Sequence, residues 1–304
     1  MIKLASKTLA LIDETIAADQ GVAYRAALRH LLPAIEDAYR ADNKPYRKHL
    51  GASMIGRDCP RELFYNFRWV TSVKHEPRIL RLFNRGHLEE AHFLAMLTIL
   101  RDKGVEIWYE TEDGGQYKFS DHAGHFGSAL DGVVRGIPDL PADTPAYMEF
   151  KTSADKGFKK LQKEGMQSSK HEHYVQVQIC MYKMGLKHTL YLVVNKNDDS
   201  LYGEIIDYNR EVAEKYINRA GDIIYTKTIP PQIHPSPAWF NCKFCSYLGV
   251  CKRHQPVDKN CRTCQYATPS TTGSWTCRKG YHEVIGSDEA FDGCGEYKLN
   301  PLFI

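Results

Sequence analysis

The chain of 304 residues has no apolar run approaching a membrane span, no internal repeat and no low-complexity tract. Its start, Met1 to Glu14, carries a short apolar stretch that Lys7, Asp13 and Glu14 interrupt, with no small-residue cleavage site after it. The sequence therefore predicts no signal peptide and no spanning helix, which would need about 20 consecutive apolar residues. A strong charge of one sign is missing as well, since 40 Lys and Arg against 37 Asp and Glu leave +3. A balance so near neutrality neither requires nor excludes a polyanionic partner, so any nucleic-acid surface has to be local. The 43% hydrophobic and 25% charged content is that of an ordinary globular chain, long enough for one large or two medium domains.

Cysteine, by contrast, is plentiful, with nine in the chain. Without an export signal these thiols are expected in a reducing compartment, the cytoplasm, where clustered cysteines are more often metal ligands than disulfides. Cys59 stands alone, Cys242, Cys245 and Cys251 form C-x2-C-x5-C, and Cys261, Cys264, Cys277 and Cys294 follow. Cys180, in the apolar pattern Val177-Gln178-Ile179-Cys180-Met181, reads as a small buried hydrophobe.

Hydrophobic spacing through Leu4, Leu9, Ile12 and Ile16, then Leu28, Leu31, Leu32 and Ile35, predicts an N-terminal helical region over 1–54. A helix is expected from Arg78 to Lys103, ended by Gly104, with Phe83, His87, Glu90, Leu94 and Leu97 along one face. That stripe sets His87 and Glu90 among apolar neighbours, where polar groups are costly unless paired or liganded. Strand patterns follow at Val105–Tyr109, Gln116–Ser120, Phe126–Val134 and Ala146–Lys151, then a helix over 171–185, strands at Thr189–Asn195 and Leu201–Asp207, and a helix at Arg210–Tyr225. Beyond Pro230 the chain turns rich in Pro, Cys and aromatics. The division expected is 1–54, a core over 55–255, and a cysteine-rich metal-binding tail over 256–304.

Side chains two apart on a strand share a face, so Glu149 and Lys151 point one way and Met148 and Phe150 the other. Asp131, followed by Gly132, can join them, and two carboxylates at hard-metal distance suit Mg²⁺. The lysine would orient and help deprotonate an attacking water. An E-x-K triplet by itself is commonplace and reads equally as a salt bridge. The stretch from Asp155 to Lys163 reads as a basic loop able to hold phosphates or as a solvated helical face, and Phe64, Tyr65, Phe67 and Trp69 as base-stacking aromatics or as core.

In order and context these residues resemble the PD-(D/E)xK nuclease superfamily, and within it the RecB-like branch. The element Phe83-Asn84-Arg85-Gly86-His87-Leu88-Glu89-Glu90 is similar to that branch's helix carrying a histidine and a glutamate. The resemblance spans roughly residues 55 to 255. It implies an α/β, restriction-endonuclease-like core with a mixed central sheet flanked by helices. Mg²⁺ or Mn²⁺ would then be held by His87, Asp131, Glu149 and the backbone carbonyl of Phe150. Lys151 would act on the water, with Glu90 and Gln176 as further catalytic residues. Gln176 and Gln178 lie about 200° apart on a helix, so only one can serve. The Tyr174-Val175-Gln176 lead-in resembles the family segment at Gln176, although a cysteine, Cys180, stands where the family places tyrosine.

Cys59 with Pro60-Arg61-Glu62-Leu63-Phe64-Tyr65, and the C-x2-C-x5-C spacing, resemble the iron–sulfur nucleases of this branch, such as the AddB nuclease domain and the CRISPR-associated iron–sulfur exonucleases. That implies a 4Fe-4S cluster on Cys59, Cys242, Cys245 and Cys251. Four thiolates also suit zinc, and spacing does not choose between the two. Either metal would close a loop of more than 180 residues, for which the chain-entropy estimate is roughly 5 kcal/mol. The second set, Cys261, Cys264, Cys277 and Cys294, reads as a small Zn²⁺ module, with His254 and His282 as substitute ligands. The tail is similar to those of phage-type nucleases, which implies a phage or mobile-element origin and work in a bacterial host's cytoplasm. The function expected is DNA exonuclease activity on single-stranded or duplex ends in recombination, repair or end processing, with a recombination or replication protein as partner. Two other readings are open: a nuclease-fold protein that grips DNA or a partner without cutting, and a cluster-based redox regulator.

Overall fold

A computed structural model describes residues 2–40, 46–279 and 290–303. In chain order the elements are helices α1 (Ser6–Ala18) and α2 (Val22–Arg40), strand β1 (Leu50–Gly51), and helices α3 (Ala52–Ile55), α4 (Pro60–Arg68) and α5 (Pro77–Thr98). Strands β2 (Glu106–Trp108), β3 (Lys118–Asp121), β4 (Phe126–Ala129), β5 (Val133–Arg135) and β6 (Ala146–Ser153) follow, then helices α6 (Asp155–Ser169) and α7 (His171–Met184). The chain continues through β7 (His188–Asn195), β8 (Leu201–Asp207), α8 (Arg210–Tyr225), α9 (Phe240–Lys243), α10 (Leu248–Arg253), β9 (Ala267–Pro269) and β10 (Trp275–Cys277). Two compact units result, each pieced from separate segments. One comprises Met1–Asn43, His75–Phe119 and Ala129–Ala213; the other comprises Lys44–Lys74, Ser120–Ser128 and Glu214–Ile304. The sequence reading divided the chain in order along its length, whereas these units interleave.

The first unit is built on a five-stranded mixed sheet, β2-β5-β6-β7-β8, in which only β6 and β7 run parallel. A parallel neighbour needs a crossover, and α6 and α7 supply it. Alternation along β6 sends Met148 and Phe150 into a core shared with α1 and α5, and Tyr147 into a second core with α6 and α7. The sheet is therefore covered on both faces, and its interior strand β7 reads as an almost unbroken buried run. Pro77 opens α5 at its first turn, the helix ends at Thr98, and a short 3₁₀ turn carries the chain to Gly104 at φ +87. The apolar stripe on α5 is not buried throughout, as expected, but only from Ala91 onward. Phe83 is 42% exposed and His87 lies at the surface, because only the C-terminal half of the helix is buried.

Of the two readings of the stretch from Asp155, the structure has the solvated helical face: Phe158 and Leu161 are spaced to bury one side while Lys156, Lys159, Lys160 and Lys163 stay in solvent. The expected strand Phe126–Val134 is two strands, β4 and β5, which join different sheets. The break falls at Asp131-Gly132, where Gly132 has φ +127 and an added Cβ would lie 2.4 Å from the Trp108 carbonyl oxygen.

In the second unit β1 pairs in parallel with β4, and β9 and β10 form an antiparallel hairpin. Its core holds Phe64, Tyr65, Phe67 and Trp69, all buried, so these rings pack the interior and offer no stacking surface. The Arg262 guanidinium lies 3.6 Å from the Trp69 ring centroid, and its Nη1 donates to the Phe67 carbonyl at 2.9 Å. No helix among the described residues is long and apolar enough to cross a membrane.

Candidate active site and thiol clusters

β5 pairs with β6 only as far as Val133 opposite Tyr147, and past Gly132 the chain turns away. That turn leaves the Phe150 N–H without a strand partner on this edge, and Asp131 fills the gap: its Oδ2 accepts from Phe150 N at 2.8 Å. The N–H and C=O of one strand residue face the same neighbour, so the Phe150 carbonyl is directed to the edge where Asp131 sits. Glu149, fully buried on the adjoining face, accepts from Lys151 Nζ, from the Tyr147 hydroxyl and, at 3.1 Å, from Gln176 Nε2. Gln178 is turned elsewhere: it donates to the Asp207 carbonyl at 3.0 Å and accepts from Asn209 N at 2.6 Å. On α5, Glu90 accepts from Gln116 Nε2 at 2.9 Å, and His87 lies exposed one turn earlier.

The electrostatics tie these groups together. Burial, then the charges of Glu149 and Glu90, push the Asp131 carboxyl well above the usual range, against the pull of Lys151 and the Phe150 N–H. Burial likewise raises Glu90, and Glu149 adds to the shift. Burial works against the Lys151 ammonium, but Glu149 and Asp131 more than compensate and its pKa rises. Three carboxyl groups thus gather near one cation, and burial works against the charged form of Asp131 and Glu90.

Such a set of hard oxygen donors suits a divalent ion such as Mg²⁺ in its chemistry. In the arrangement they have, no three or more His, Cys, Asp or Glu side chains among the described residues could hold a metal ion. The reason at Glu149 is plain, since Lys151 occupies Oε1 while Tyr147 and Gln176 occupy Oε2. Tyr147 and Gln116 were not anticipated from the sequence. Tyr147 had a usable signal, because it precedes Glu149 by two residues on the same strand and so shares its face. Gln116, which follows β2 by several loop residues, had none.

In the second unit Cys59, Cys242, Cys245 and Cys251 line one cavity together with Arg61, Glu62 and Tyr247. Cys242 lies on α9, Cys245 follows one turn later with its N–H on the Cys242 carbonyl at 3.1 Å, and Cys251 lies on α10. Burial raises the Cys242 thiol and pushes Cys245 up to about 12, and both feel Cys59 and Cys251, as expected of sulfurs grouped together. Cys261, Cys264, Cys277 and Cys294 line a separate cavity with Tyr266, Lys279 and Glu296. The chemistry of each thiol set fits a soft metal or cluster once deprotonated. His254, at the end of α10, lines neither cavity, and His282 lies outside the described residues. Cys180 is buried in α7.

No family model matches the chain, and no curated protein does. Among solved structures it is similar to one titled as the crystal structure of SSO0001, at 16% identity and a TM-score of 0.40, covering 74% of this chain and 95% of that one. It is also similar to an alkaline exonuclease, LHK-Exo, from Laribacter hongkongensis, at 18% identity and a TM-score of 0.40, covering 58% and 86%. The same exonuclease in complex with dAMP aligns at 16% identity and a TM-score of 0.39. A likeness at this level fixes neither family nor activity.

Proposed function

We propose that this protein is a DNA nuclease of the RecB-like PD-(D/E)xK kind, hydrolysing phosphodiester bonds with Mg²⁺ or Mn²⁺. The observation that carries the reading is the meeting of Asp131, Glu149, Lys151 and Gln176 where β5 parts from β6. A bound divalent ion would supply Lewis-acid polarisation of the scissile phosphate. Asp131 and Glu149, with the Phe150 carbonyl, are the residues to hold it, and His87 completes the set that the resemblance suggests. Asp131 is oriented by the Phe150 N–H, and Glu149 by Tyr147 and Gln176. Lys151 is kept charged by its carboxylate neighbours. Its part is therefore to donate hydrogen bonds to the attacking water or to a phosphoryl oxygen, rather than to take a proton in the arrangement it has. Glu90, also raised, is placed to accept one.

The two thiol sets would carry a 4Fe-4S cluster on Cys59, Cys242, Cys245 and Cys251 and Zn²⁺ on Cys261, Cys264, Cys277 and Cys294. Anaerobic purification followed by iron, sulfide and zinc analysis measures both. We place the protein in processing of DNA ends during recombination or repair, in the cytoplasm of a phage host. The test is Asp131→Ala and Lys151→Ala, each assayed on labelled single- and double-stranded DNA with Mg²⁺, with Mn²⁺ and with EDTA. Cleavage should fall by about 10²- to 10³-fold while binding is kept. Undiminished cleavage in either variant, or cleavage in EDTA, overturns the reading.

A further inference from the structure

Burial of aromatic rings is the rule in this chain, and one segment breaks it. Phe240 is 72% exposed, Phe244 70% and Trp239 48%, and the two phenylalanines are the most exposed large apolar side chains among the described residues. They belong to one short turn. Lys243 N donates to the Trp239 carbonyl at 2.8 Å, so Trp239, Phe240 and Phe244 are fixed on a rigid scaffold of one helical turn. The turn is two-sided: Cys242 and Cys245 point into the cavity, and the rings point out.

The rings are supported rather than loose. His234 stacks on Trp239 with centroids 4.7 Å apart and an interplanar angle of 17°, which covers one face of the indole and holds it flat. Phe240 and Phe244 pack edge to face at 5.4 Å, and the Lys243 ammonium lies 5.6 Å from the Phe244 centroid. Charge near them leans basic without being one-signed: Asn241 Nδ2 donates to Asp58 at 3.3 Å and Glu62 pairs with Arg57, while the Lys243 ammonium lies against Phe244. No Asp or Glu occurs between Asp222 and Asp258, an interval that holds Lys227, Lys243, Lys252 and Arg253. Lys252 is spent on Gln232 and on the carbonyls of His234 and Pro235, which brace the segment carrying Trp239.

Exposed aromatic patches of this kind mark a binding surface, because leaving such rings in water costs stability. An apolar protein partner would suit the rings but leave the Lys243 ammonium beside Phe244 without an opposite charge. A duplex would suit the charge but not the rings, since its bases are already stacked on one another. Single-stranded nucleic acid answers both features, with bases stacking on the rings and a phosphate meeting Lys243.

We infer that Trp239, Phe240 and Phe244 form a stacking platform for unpaired bases of single-stranded DNA, with Lys243 as a phosphate contact. The inference rests on the nuclease reading only for the polymer being DNA rather than RNA.

The test uses the full chain purified with its metals. Binding of a fluorescent oligothymidylate and of a duplex of equal length is followed by anisotropy in buffer free of Mg²⁺ and Mn²⁺ and without a chelator, so that cleavage plays no part and the thiol-bound metals stay in place. Phe240→Ala and Phe244→Ala should each weaken oligothymidylate binding roughly 5- to 150-fold, and duplex binding far less. Phe244→Trp should keep the affinity, and its indole fluorescence should be quenched on adding the strand. Metal content and far-UV circular dichroism of the variants confirm that the turn is intact, and for any variant that loses its metals the Phe244→Trp quenching alone decides. Unchanged oligothymidylate affinity in the Ala variants, equal losses for strand and duplex, absence of quenching, or a dimer that the Ala variants dissociate would each overturn the platform. Loss of cleavage in Asp131→Ala with these bindings unaltered bears on the nuclease reading alone, so the two can fail separately.

Discussion

His173 shows how much a single residue of the first unit depends on staying neutral. Its Nδ1 lies 2.7 Å from the Tyr191 hydroxyl on the α7 side of the sheet. Burial, and then the Lys151 and Lys170 charges, lower its pKa to about 3, against about 6.5 for a free imidazole. Between those two values the unfolded chain binds a proton that the folded one refuses, so folding stability rises with pH across the window. The contribution is complete above pH 6.5 and is lost as pH falls toward 3. For one such group the slope is at most about 1.4 kcal/mol per pH unit, and less where water reaches the ring. His173→Gln keeps a polar group near Tyr191 without the titration. Denaturant unfolding of parent and variant from pH 4 to 8 should give curves that diverge below pH 6.5, the parent falling more steeply. Parallel curves would mean that the imidazole is protonated freely in the fold.

At the scale of an element, α7 places two glutamines to opposite purposes. Gln176 donates to the buried Glu149, and Gln178 bonds the Asp207 carbonyl and the Asn209 N–H where β8 gives way to α8. Gln176→Ala leaves a buried carboxylate with one donor fewer and no new role for the helix. It should cut activity while costing little more than about 1 kcal/mol of stability. Gln178→Ala removes two part-buried hydrogen bonds at once, so the expectation reverses: a loss of about 1–3 kcal/mol and near-normal cleavage per folded molecule. Unfolding midpoints beside single-turnover rates distinguish the two, and equal effects on both would show the helix acting as one block. The sequence carries part of this picture. Spacing alone places β7, β8, α7 and α8 within a residue or two, because their apolar residues repeat with the period of the element and both ends carry polar or glycine stops. It leaves α6 open between a basic loop and a solvated helical face, since four lysines interrupt the helical spacing at Phe158, Leu161 and Met166. The break between β4 and β5 is also hidden, since Gly132 adopts its φ only because Trp108 and Met148 leave no room for a side chain. Along one strand the partners of Glu149 are readable from alternation, but which aromatic rings stay in water depends on what packs over them, and periodicity holds no record of that.

For the molecule as a whole, the telling feature is that the second unit is assembled from three separated segments. Cys59 comes from the first of these, and Cys242, Cys245 and Cys251 from the last, yet all four line one cavity. A metal held there would tie together pieces more than 180 residues apart in sequence, and the chain-entropy estimate for such a link is roughly 5 kcal/mol. Metal binding and folding of this unit should then be one process, as in other domains whose ligands come from distant segments. Cys59→Ser should lower iron content and bring rapid amide exchange to residues 46–74 and 214–279, with the first unit's sheet β5-β6-β7-β8 exchanging as before. Cys180→Ala is the matched control, since that thiol is buried in α7 and lines neither cavity. It removes a similar volume and should leave iron, zinc and the exchange pattern of the second unit unaltered, at a cost of about 1 kcal/mol. If Cys59→Ser kept its metal and its protection, the grouping of four sulfurs would be ordinary core packing. The order of the second unit would then have to come from its aromatic interior, from Phe67, Trp69 and Trp275 around Arg262, rather than from coordination.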